Sequence, residues 1–130
     1  MIALIAMALA TGTAPDSAPA LAAVKACDKQ AMRAMATDEP HRRTQFAAAV
    51  YAEQRAIAQE RATLLDAQIA GTPSSSGAAT TANALAQIDA RQKELDDVKA
   101  IEKSWRDLFD EVRADFLANC SSGKRNADDK

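Results

Sequence analysis

Glycine and aromatic residues are scarce in this chain. Its 130 residues include four glycines, four prolines, two cysteines and five aromatic side chains. Leu, Ile, Val and Phe together number 22. Sandwiches, barrels and doubly wound sheets need many β-branched residues and glycine turns, so this composition argues against all three. A surplus of one charge is also lacking. Sixteen basic residues face eighteen acidic ones, giving a net charge of −2. No basic surplus is available for a phosphate backbone, so no nucleic-acid partner is expected. Disorder usually combines low apolar content with high net charge, and the second condition is absent.

The motifs of common chemistry are missing too. There is no glycine-rich phosphate loop, no Gly-x-Ser-x-Gly, no His-Glu-x-x-His and no Cys-x-x-Cys. His41 is the single histidine, and it lies in a charged stretch with Arg42 and Arg43. A general base needs an orienting partner and a nearby nucleophile, and neither is evident. No catalytic residue, cofactor or metal site is therefore expected. Arg42-Arg43 and Lys124-Arg125 read as simple surface charge.

Alanine is abundant instead: 32 residues, about half of the 48% counted as hydrophobic. Alanine is the best helix former and loses no side-chain entropy. The expected class is all-α with narrow apolar seams. Met1 to Ala10 is an uncharged apolar run, too short to span a bilayer, which takes roughly twenty residues. It matches the apolar core of a secretory signal, although no Lys or Arg precedes it. Ala8-Leu9-Ala10 and Ala18-Pro19-Ala20 both fit a signal-peptidase site. Residues 1–20 are thus read as a signal peptide followed by a Pro-rich extended linker. The alanine content also suits a bacterial genome rich in G and C.

Residues 21–120 read as the helical domain. A helix is expected from about Ala20 to Ala36, carrying Leu21, Val24, Ala31, Met32 and Met35. Thr37-Asp38-Glu39-Pro40 predicts a break or kink, because the residue before proline avoids helical angles. The helix then continues to about Ile69, with Val50, Ile57 and Leu64 seven residues apart. Gly71 to Gly77 is a low-complexity turn, extending over 71–79. A last helix is expected from Thr80 or Thr81 to Asn119. Ile88, Leu95, Glu102, Phe109 and Phe116 form one heptad series there. Arg91, Val98, Trp105, Val112 and Asn119 form another, widened by Leu85, Ile101 and Leu108. Residues 121–130 read as a polar flexible tail. The expected architecture is a long antiparallel helical hairpin, coiled-coil-like, with its first helix kinked near Pro40.

Cys27 and Cys120 are equidistant from position 73.5, inside the turn. In an antiparallel hairpin they sit at the same height, so a disulfide is expected. A chain reversal at Thr37–Pro40 would instead leave them roughly 30 Å apart at 1.5 Å per residue. The bond and that reversal exclude each other. The same height rule puts Trp105 opposite His41 and Arg42, filling the gap that a kink opens. Glu53, Glu60, Glu102 and Arg91 interrupt the seams. They read as register-setting polar residues, partly solvated or paired with Arg91 across the seam.

These features point to an exported protein, periplasmic or secreted, that is not an enzyme and acts by protein–protein interaction. No membrane span remains after signal cleavage. Two helices bury little apolar area, so a protein partner or a homodimer is expected. Tyr51, Leu65, Ile69 and Leu117, which lie off the main seams, are candidates for that contact. In size, export and helical architecture the chain is similar to the small helical-hairpin chaperones of the bacterial envelope. Their Leu-Thr-x-x-Gln motif does not occur. The likeness implies an alternative role as a periplasmic chaperone or a stress or metal sensor.

Overall fold

A computed structural model describes residues 15–71 and 75–120. The expected signal segment, residues 11–14 of the linker, residues 72–74 of the turn and the tail at 121–130 lie outside the described residues. The fold is all-α: α1 spans Ala18–Ala26, α2 spans Lys29–Ala70 and α3 spans Ser75–Asn119. No strand occurs among the described residues. The chain divides into two compact units. One falls within Gly12–Phe46 and Ala100–Lys130, here the cysteine unit; the other takes in Ala47–Lys99, the mid-chain unit.

Three boundaries differ from expectation, each for a local reason. The stretch expected to be an extended linker is helical from Ala18. Pro19 falls at the start of α1, where its missing N–H costs nothing. The break expected at Thr37–Pro40 falls at Cys27–Asp28, and α2 is helical without interruption across Pro40. The last helix starts at Ser75, before the expected Thr80. Gly77 had suggested a turn, since glycine costs about 1 kcal/mol inside a helix. The alanines around it favour helix, and Thr81 Oγ1 donates back to the Gly77 carbonyl at 3.0 Å.

The break at Cys27 has a specific construction. Cys27 is left-handed, with φ 51° and ψ 40°. Its N–H donates to Val24 O at 3.3 Å, and the Asp28 N–H donates to Ala23 O at 2.9 Å. Those two bonds form a Schellman cap, in which glycine usually holds the left-handed place. Asp28 also opens α2, accepting from the Ala31 N–H at 3.0 Å through Oδ1. One residue thus closes one helix and starts the next. Asp28→Ala is expected to lower the unfolding free energy by about 1 kcal/mol, the usual size of a lost cap, read from urea denaturation. An unchanged midpoint would dismiss the cap.

The core of the cysteine unit draws on all three helices. Ala20, Ala23 and Val24 of α1, Met32 of α2, and Trp105, Phe109, Val112, Phe116 and Cys120 of α3 are buried together. Ala31, Met35 and Leu108 pack against them. The Trp105 and Phe109 rings lie 5.6 Å apart between centroids, tilted by 32°. Leu21 faces outward, at 46% exposed.

The mid-chain unit has a thinner core. Among the described residues, Ile57, Ile88 and Leu95 are buried in its apolar cluster, with Val50 and Leu64 packed against them. Gln54 and Gln92 add a reciprocal amide pair, each side chain donating to the other at 2.8 and 3.1 Å. In both units side-chain pairs join stretches that are distant in sequence. Partner numbers fall as residue numbers rise: 27 with 120, 39 with 105 and 42 with 102 in one unit. In the other, 54 meets 92 and 61 meets 89.

Candidate functional site

Four polar residues, Glu53, Glu60, Arg91 and Glu102, interrupt the seams and read as register-setting. In the mid-chain unit the structure gathers three of them. Arg91 Nη2 and Nη1 donate to Glu53 Oε1 at 2.8 Å and to Glu60 Oε2 at 2.5 Å. Glu53 is buried, and Arg91 remains about one-third exposed. Hydrogen bonding to Glu53, against the cost of burial, raises the Arg91 guanidinium pKa further above its ordinary value. These are the cross-seam pairs expected of register-setting residues.

The fourth, Glu102, belongs to the cysteine unit and does not meet Arg91. It accepts from Arg42 Nη2 and Nη1 at 2.7 and 2.9 Å and from Arg106 Nε at 2.9 Å. Burial pushes the Glu102 carboxyl up, but the donors from Arg42 and Arg106 outweigh it and hold its pKa low. Arg42 and Arg43 are therefore not the simple surface charges expected. Both are roughly three-quarters covered and tied into a network centred on Glu39.

Glu39 is the residue that sequence reasoning missed. Its place before Pro40 marked it only as part of an expected break or kink, yet it is 6% exposed. Its carboxylate takes four donors. Arg42 supplies two, at 2.7 and 3.0 Å; Arg43 Nε gives one at 2.9 Å; Trp105 Nε1 gives one at 2.8 Å. Burial alone would raise its pKa. The bonds from Arg42, Trp105 and Arg43 prevail and bring it to about 2. A signal existed in the spacing, since Glu39 precedes Arg42 and Arg43 by three and four residues. The anchored Glu39 also accounts for the intact helix. Interior proline costs about 3 kcal/mol, and four charge-assisted bonds to the residue before it offset that cost. Trp105 sits beside this segment as the height rule required, with Arg42 over its ring at 5.8 Å. Arg43 also pairs with Asp110 at 2.9 Å.

Cys27 and Cys120 meet at disulfide distance, with Cα atoms 5.3 Å apart. His41 is exposed and contacts only Gln45, at 3.1 Å, among its side-chain bonds. The chemistry available to these clusters is limited. Glu39 and Glu102 spend their oxygens on cations, and their lowered pKa makes them poor proton acceptors near neutrality. Among the described residues no three His, Cys, Asp or Glu side chains are grouped to hold a metal ion. No helix among them is long and apolar enough to cross a membrane.

Among the described residues, two grooves and one face stand out. In the mid-chain unit a groove of about 470 Å³ opens beside Glu60, Leu64, Ile88 and Arg91. In the cysteine unit a groove of about 380 Å³ is lined by Lys29, Arg33, Arg113, Met32 and Phe116. The face is more distinctive. Tyr51, Leu65 and Ile69 of α2 are 68%, 44% and 85% exposed, as their places off the seams foretold. Leu117 is 56% exposed. Ile101, expected to widen the α3 stripe, is 49% exposed. Compared with known proteins, the chain matches no family model, no curated protein and no solved structure.

Proposed function

We propose that the protein is an exported, non-enzymatic helical hairpin of a bacterial envelope, and that it works by binding another protein through its mid-chain unit. One observation carries this reading: Tyr51, Leu65 and Ile69 stand exposed on a unit whose apolar core, among the described residues, buries Ile57, Ile88 and Leu95. A large apolar side chain left in water on a thin scaffold favours burial against a second surface. Export is supported by the cysteine pair at bonding distance, which an oxidising compartment would close. Ala20 is buried, at 1% exposed. Cleavage after Ala10 keeps this core residue, whereas cleavage after Ala20 removes it.

Intact mass of the protein from its native envelope, reduced and unreduced, tests compartment and pairing together. The expected result is a chain cut before α1 whose mass rises by two hydrogen atoms on reduction, as each sulfur gains an electron and a proton. Retention of Met1, or two free thiols, counts against export. For the binding role, crosslinking in the native envelope should yield protein adducts that Leu65→Glu and Ile69→Glu abolish without changing helical content. Adducts that survive both substitutions would contradict it. The alternative, a periplasmic chaperone or sensor of helical-hairpin type, uses the same apolar face for unfolded clients. Suppression of client aggregation would favour it.

A further inference from the structure

The exposed side of α2 in the mid-chain unit has a pattern of its own. Tyr51, Arg55, Ala58, Ala62, Leu65 and Ile69 follow one another at intervals of four and three, and all six are exposed. Their stripe lies away from Val50, Ile57 and Leu64, which pack the unit's own core. Four-and-three spacing is the pattern of a helix-pairing seam. Here the seam faces water. Alanines occupy its middle, which permits close approach of a second helix, and larger apolar residues lie toward its ends.

We infer that this stripe docks against the same stripe of a second copy of the chain, with the two α2 helices antiparallel. The inference rests on the protein-binding reading above and names the partner. Charge and size select both partner and direction. In a parallel pair, Arg55 would meet Arg55, Asp66 would meet Asp66, and Tyr51 would meet Tyr51. In an antiparallel pair centred near position 60, Tyr51 meets Ile69 and Ala58 meets Ala62. Arg55 then lies along Leu65, burying its stem, with its guanidinium beside Asp66 of the other copy. Arg55 and Asp66 have no ion-pair partner within the described chain, and both are exposed. The contact satisfies two such pairs at once. It is isologous, so it closes at two copies rather than growing a fibre.

Sedimentation velocity on the full chain tests this. The wild type is expected to be a dimer that dissociates on dilution. Ala58→Glu and Ala62→Glu should each give a monomer of unchanged helical content. Arg55→Asp should weaken the dimer about tenfold, because both pairs become repulsive. Combining it with Asp66→Arg should restore the dimer, since the pairs are then reversed in sign. A wild type that is monomeric at tens of micromolar overturns the inference. So does a dimer that Ala58→Glu leaves intact, or one that the double charge swap fails to restore. The envelope crosslinks separate this inference from the reading it rests on: adducts to another protein, with no dimer, would keep the binding role and overturn the second copy as its partner. Loss of both would remove the binding reading as well.

Discussion

Replacing Cys27 and Cys120 by serine is expected to lower the unfolding free energy by about 4 kcal/mol. The two cysteines are 93 residues apart in sequence. Linking positions so distant removes much of the freedom of the unfolded chain, worth about 4–5 kcal/mol on the chain-entropy view. Urea denaturation of wild type and double variant at pH 7 measures the difference, and wild type with reductant gives an independent value. A further variant separates two effects at position 27. The left-handed backbone there costs a non-glycine residue about 1–2 kcal/mol. Cys27→Gly with Cys120→Ser should therefore recover about 1 kcal/mol relative to the double serine variant. Equal midpoints with and without reductant would mean that the bond contributes nothing.

The second large effect belongs to Glu39. Glu39→Ala should cost about 3 kcal/mol at pH 7, since it leaves the Trp105 N–H and two guanidinium groups without their shared acceptor. Acid should reproduce the loss in the wild type. The Glu39 carboxyl lies at about 2 in the fold and near 4.5 when free. A lowered carboxylate stabilises fully above its unfolded pKa and loses that contribution as pH falls through its folded one. The window is therefore roughly pH 4.5 down to 2, and the loss across it is about 3 kcal/mol. Glu102 shifts in the same direction and adds to the slope. Stability measured across this range should fall steeply in the wild type and more gently in Glu39→Ala. Parallel curves would exclude Glu39 as the source.

Much of this arrangement could be read from spacing. The α3 series of Ile88, Leu95, Phe109 and Phe116 is buried as its heptads required, and so are Trp105 and Val112. The symmetry of Cys27 and Cys120 about the turn led to their pairing. Glu53, Glu60 and Arg91 meet because residues that interrupt a seam must find partners there. The failures have physical causes. A left-handed cysteine carries no sequence mark of a helix end, so the break at Cys27 was invisible while Pro40 drew attention. That break falls at the cysteine itself, which is why a third helix and the cysteine pairing coexist. Glu39 was passed over because its place before Pro40 pointed only to a break or kink in the backbone. Only the distant Trp105 and Glu102 reveal it as a buried hub. The outward side of α2 was legible residue by residue, in Tyr51, Leu65 and Ile69. Its full seam emerged only once exposure was known.

The division into two units assigns different vulnerabilities to different stretches of chain. The sulfur pair and the Glu39 carboxylate both lie in the cysteine unit, whereas the apolar stripe lies in the mid-chain unit. Reductant and acid thus strike the same stretch, and neither alters the apolar side chains Leu65 and Ile69. Loss of the sulfur pair and loss of the Glu39 charge are therefore felt in one stretch of chain, while Leu65 and Ile69 keep their covalent chemistry under both.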